Sequence, residues 1–159
     1  MYRLNYFSDW LSAAAWWKLL AGFIVIAILY NALSVNMAEY FFDEEMNASS
    51  LEGLSPVMLF VVAVLVGPFI ETLLFQYLII ETINYFTKGI EFISLAISAL
   101  AFALVHSYSS TYIMFMLVPG VLLAVLYLVF IRKKQSAFWM VYLAHAFINM
   151  FTLLHNRLD

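Results

Sequence analysis

From Pro56 to Ile80 the chain is almost unbroken in apolar residues and carries a single charge, Glu71. A run of that length reads as a membrane-spanning helix. A carboxylate near the middle of such a helix costs roughly 2.5–3.5 kcal/mol on insertion scales, so it calls for a partner or a use. Two other apolar runs hold one histidine each, His106 and His145, and Asn149 follows His145 by one helical turn. Four polar groups on three apolar helices are thereby candidates for one buried pocket.

Composition agrees with lipid as the solvent. The 159 residues are 66% hydrophobic and 11% charged, far more apolar than a soluble domain of this length can hide. A single membrane domain, 1–159, is the natural division, with an interfacial lead over 1–18. Net charge is −3 and no basic block suggests nucleic acid. Cysteine is absent, which excludes disulfides, thiolate metal sites and a cysteine nucleophile. The first apolar run, from Leu19, has no small-residue cleavage pattern after it and reads as a retained helix rather than a signal peptide.

The pattern predicts an all-α polytopic bundle of about five transmembrane helices. Met1 to Ala15 is an amphipathic lead, and Trp16, Trp17 and Lys18 mark a headgroup boundary. The first span runs from Leu19 to Ser34 or a little beyond. Asn36 to Ser55 reads as a polar loop carrying Glu39, Asp43, Glu44, Glu45 and Glu52. The second span runs from Pro56, a good first-turn residue, to about Ile83. A turn over Asn84 to Glu91 leads to a third span over Phe92 to Val105, closed by His106-Ser107. The fourth covers Thr111 to Ile131, where Pro119-Gly120 predicts a kink that neighbours must satisfy at the freed carbonyl. The fifth covers Ala137 to Leu154, and His155 begins a polar tail.

Five spans put Arg3, Lys18, Lys88, Arg132, Lys133 and Lys134 on one side and only Arg157, with the acidic loop, on the other. The positive-inside rule makes the first side cytoplasmic. The expectation is an integral protein of the plasma membrane with its N-terminus cytoplasmic and its C-terminus outside.

Residues four apart share a helix face, so His145 and Asn149 aim an imidazole and a carboxamide at one point. A hydrolase needs a base to activate water and donors to hold an oxyanion. Glu71 with His106 can supply the first, and His145 with Asn149 the second. Taken singly, each His also fits a hydrogen-bonded core residue, and Asn149 an interhelical bond.

Together the motifs resemble the CPBP family, the CAAX prenyl proteases and bacteriocin-processing enzymes also called Abi proteins. Its Glu-Glu-x-x-x-Arg motif corresponds to Glu71-Thr72-Leu73-Leu74-Phe75-Gln76, after Pro68. Its Phe-x-x-x-His motif is Phe102-Ala103-Leu104-Val105-His106, and its His-x-x-x-Asn motif is His145-Ala146-Phe147-Ile148-Asn149. The resemblance covers Pro56 to about Phe151, within a catalytic core over 56–154. It implies Glu71 as the base, His106 as its assistant in activating water, and His145 with Asn149 as the oxyanion site. Thr72 and Gln76 stand where the family has a second Glu and the Arg, so one negative and one positive charge are lost together.

The resulting expectation is an intramembrane endopeptidase acting on a membrane-associated peptide or protein, without a cofactor, in contact with membrane lipid and not with nucleic acid. A catalytically silent scaffold or immunity-type protein is the alternative. A zinc protease using Glu71, His106 and His145 ranks third, because the His-Glu-x-x-His spacing is missing.

Overall fold

A computed structural model describes residues 13–43, 53–88 and 90–155. Most of the amphipathic lead, the acidic Glu44, Glu45 and Glu52, and the tail beyond His155 lie outside the described residues. Five helices carry the rest: α1 (Trp16–Phe42), α2 (Pro56–Thr87), α3 (Glu91–Val105), α4 (Ser110–Arg132) and α5 (Ala137–His155). Four of them, α1, α2, α4 and α5, are long and apolar enough to cross a membrane.

The expected third span is the exception. Its 15 residues reach about 22 Å at 1.5 Å per residue, short of a hydrocarbon core of about 30 Å. Helix α1 departs in the other direction. It continues through Asn36 to Phe42, where a polar loop was expected; Phe42 packs edge-on against Phe115, and the Asn36 amide is satisfied by the Ala32 carbonyl.

Helix α4 forms the centre. Half of its most apolar window is buried, against about a fifth or less in α1, α2 and α5, which turn most of their surface outward. Leu123, Ala124, Leu126, Tyr127 and Phe130 meet Ile80, Phe102, Val141 and Ala144 in the main core. Small side chains let α3 and α4 approach closely, as interfaces between membrane helices favour. A Cβ on Gly120 would lie 2.8 Å from the Ala99 carbonyl oxygen, so only glycine fits there.

Pro119 lies within a continuous α4 and has no N–H for the Phe115 carbonyl one turn earlier. The Tyr30 hydroxyl of α1 donates to that oxygen at 2.9 Å. The neighbour that the Pro119-Gly120 pair demands is therefore present, on a different helix.

The helix ends are fixed locally. Ser55 caps α2 ahead of Pro56, and Ser109 caps α4 through Tyr112 N–H. Arg132 at the end of α4 pairs with Glu91 at the start of α3, its Nε 3.1 Å from Oε1. Lys133 donates to the Ala14 carbonyl just before α1. These contacts gather the start of α1, the start of α3 and the end of α4 at one end of the bundle.

Candidate functional site

Helix α2 changes its winding on both sides of Glu71. Val61–Val66 and Thr72–Ile79 are π-helical, and the α-helical turn Gly67–Glu71 lies between them. Such widened turns recur at functional sites because they re-aim side chains. Gly67 permits the first of them: its N–H closes on the Val62 carbonyl, and an added Cβ would sit 2.9 Å from that oxygen. The next N–H in the same register would belong to Pro68, which has none, so the Ala63 carbonyl loses that partner. Asn149 Nδ2 of α5 donates to it at 2.9 Å. A proline in one motif thus orients the asparagine of another.

His106 is positioned by the end of its helix. The His106 N–H closes on Ala103, three residues back, rather than on Phe102. The Phe102 carbonyl receives the His106 ring instead, with Nδ1 at 2.8 Å. A carbonyl only accepts, so Nδ1 carries a hydrogen, and the neutral form of the ring has Nε2 as its acceptor. The Phe102 ring lies against His106 and His145, with centroids 4.6 and 5.8 Å away, and edge-on to Phe75. The Phe-x-x-x-His spacing therefore supplies both an anchor for one imidazole and a wedge between two.

Glu71, His106, His145 and Asn149 all line one cavity of about 360 Å³. Glu71 Oε2 is 3.5 Å from His145 Nε2 and 3.9 Å from His106 Nε2. His145 is nearly fully buried, while Glu71 keeps part of its side chain open to the cavity. His106 comes level with Glu71 because the two lie 18 and 17 residues on either side of Lys88, about 27 and 26 Å along consecutive helices.

Thr72 and Gln76 have another setting. Both are fully buried, neither lines the cavity, and neither side chain has a hydrogen-bond partner among the described residues. The two family departures are therefore in the packed side of α2 and not at the cavity wall.

Three cavity residues escape the sequence reading. Tyr112 stacks on His106, with rings 15° from parallel and centroids 6.3 Å apart. Asn31 and Thr152 are joined by a 2.8 Å hydrogen bond between α1 and α5. An amide in the middle of the first span was the one signal available for Asn31. Nothing in the pattern marks Tyr112. Among the described residues no three histidine or carboxylate side chains are grouped so as to hold a metal ion.

Residues 53–151, more than half of the chain, match the family described as type II CAAX prenyl endopeptidase, Rce1-like. The chain belongs to the Rce1-like family. The matched segment runs from just before α2 to near the end of α5 and contains Glu71, His106, His145 and Asn149. The family is one of CAAX-type intramembrane proteases, which with four long apolar helices makes this an integral membrane protein of protease type. Helix α1, with Asn31, lies outside the match. No curated protein and no solved structure matches the chain.

Proposed function

We propose that this Rce1-like protein is an endopeptidase that hydrolyses a peptide bond of a membrane-associated peptide or protein by glutamate-activated water. The observation that carries the reading is one carboxylate, Glu71, between two imidazoles at 3.5 and 3.9 Å in a cavity that also holds Asn149. The hydrogen-bonding roles divide in a way that suits hydrolysis. His106 Nε2 and the Glu71 carboxylate are acceptors, and a water between them is held by both of its hydrogens. Glu71 takes one proton as the water oxygen attacks the scissile carbonyl carbon. His145, protonated on Nε2, and the second N–H of Asn149 are donors to the resulting oxyanion. Glu71 then returns the proton to the amide nitrogen as the C–N bond breaks, and acid and amine products leave.

No metal has a step in this scheme. In the same reading the N-terminus is cytoplasmic, the C-terminus is outside, and the membrane is the plasma membrane. Glu71→Gln tests the function directly, because it keeps the side chain's shape and removes the base. A general base contributes about 10²–10⁴-fold. The variant should therefore lose detectable cleavage of a membrane peptide while remaining folded in detergent and binding that peptide. Full complementation of a deletion strain by Glu71→Gln would replace the protease reading with a scaffold.

A further inference from the structure

The cavity has a second polar wall, remote from Glu71. Thr152 donates its hydroxyl hydrogen to the Ile148 carbonyl at 3.1 Å. It must therefore accept from Asn31, whose Nδ2 lies 2.8 Å away. This chain of bonds fixes which way the Asn31 amide points. Nδ2 is toward Thr152, and Oδ1 has no donor among the described residues. One carbonyl oxygen and one N–H remain, the complement of the backbone N–H and C=O that one residue of an extended chain presents on the same edge. Asn31 and Thr152 both line the cavity, so this pair borders the space that holds Glu71.

Building on the hydrolase reading, we propose that Asn31, oriented by Thr152, is a substrate-positioning residue that binds the backbone N–H and C=O of one residue in an extended, uncharged segment. The described cavity lining contains no lysine or arginine, so a chain-terminal carboxylate meets no fixed cation here. The register follows from α5. His145 and Thr152 are seven residues apart on one helix, which is about 10 Å along its axis. An extended chain advances about 3.3 Å per residue, so the residue read by Asn31 lies about three residues from the scissile bond.

The test uses a fluorogenic peptide of about ten apolar residues, acetylated and amidated, in nanodiscs, with single N-methyl groups scanned along its backbone. Losing one good hydrogen bond that leaves its partner unpaired corresponds to about tenfold. One N-methyl position about three residues from the cleaved bond should raise KM about tenfold, with kcat changed less than threefold. Asn31→Leu should raise KM by the same factor on the unmethylated peptide, and methylation at that position should then add nothing. Thr152→Val, which keeps shape and frees the amide, should show a weaker effect at the same position. Multiplicative effects of Asn31→Leu and methylation at every position would overturn the proposal. So would tighter binding of a peptide whose free carboxylate falls at that position. The same scan read as Kd, with a dansyl peptide and the Glu71→Gln protein, separates the two claims. A position-specific methyl effect that depends on Asn31, in a wild-type protein that cleaves none of the peptides, supports the subsite and rejects the hydrolase. Its absence rejects the subsite whatever the activity.

Discussion

Replacing Asn149 with alanine removes two things at once, and Pro68 allows them to be separated. The first is the partner of the Ala63 carbonyl, bonded at 2.9 Å across α2 and α5. A buried carbonyl left unpaired costs about 1–3 kcal/mol, while hydrogen bonds between membrane helices average about 0.6 and reach about 1.7. The Asn149→Ala protein should therefore lose about 1–2 kcal/mol of stability. The second is a donor to the oxyanion, worth about 10²–10³ in kcat. Pro68→Ala restores an N–H that can close on Ala63 in the π register already used by Gly67 and Val62. In that background Asn149→Ala should cost less than about 0.5 kcal/mol, because the carbonyl keeps a partner. The loss in kcat should persist.

The assays are unfolding in mixed micelles by SDS titration and steady-state cleavage of a membrane peptide, on all four proteins of the cycle. Equal destabilisation by Asn149→Ala with and without Pro68 would refute the claim that the Ala63 carbonyl anchors this amide. Recovery of kcat in the double variant would refute the oxyanion role and leave Asn149 a structural residue.

Three other expectations follow from the same contacts. Tyr30→Phe should destabilise the protein by about 0.6–1.7 kcal/mol, and Pro119→Ala should erase that cost by giving Phe115 a backbone partner; an undiminished cost in the double variant, read by the same titration, would show that the bond contributes nothing. Cleavage should persist in a strong chelator, and purified protein should contain no stoichiometric zinc; one zinc per chain, with activity lost on its removal, would favour a metalloprotease. A reporter fused after Asp159 should report the outside and one inserted near Lys134 the inside, and the reverse pattern would invert the proposed orientation.

The long apolar runs and the His-x-x-x-Asn spacing were legible because they depend on span length and helical period alone. The direction of the His106 ring was not, because it depends on the end of α3 tightening so that the ring, and not the His106 N–H, meets the Phe102 carbonyl. The extension of α1 was hidden because Asn36 and Glu39 read as loop residues, whereas the Phe42–Phe115 contact gives the far end of the helix a packing partner on α4. Asn31 was visible as a polar residue in a span, but its meaning depends on Thr152, 121 positions away.

The side chains that matter share one device. In lipid every backbone carbonyl must find a donor inside the protein, so a carbonyl freed from its helix becomes a fixed acceptor that some side chain has to meet. Three such carbonyls stand out among the described residues, each freed for a reason visible in the backbone. Pro68 leaves Ala63 without an N–H, Pro119 does the same to Phe115, and the tightened end of α3 withdraws the His106 N–H from Phe102. Their partners are Asn149, Tyr30 and the His106 ring. Two of those three carry the proposed chemistry. A side chain held this way keeps its direction without a second polar residue in the membrane, since the anchor is main chain that must be there in any case. That economy explains how a site with one carboxylate, two imidazoles and one amide can be preorganised in a chain that is only 11% charged. It also explains why proline and helix termination accompany the polar residues: they create the acceptors that aim them.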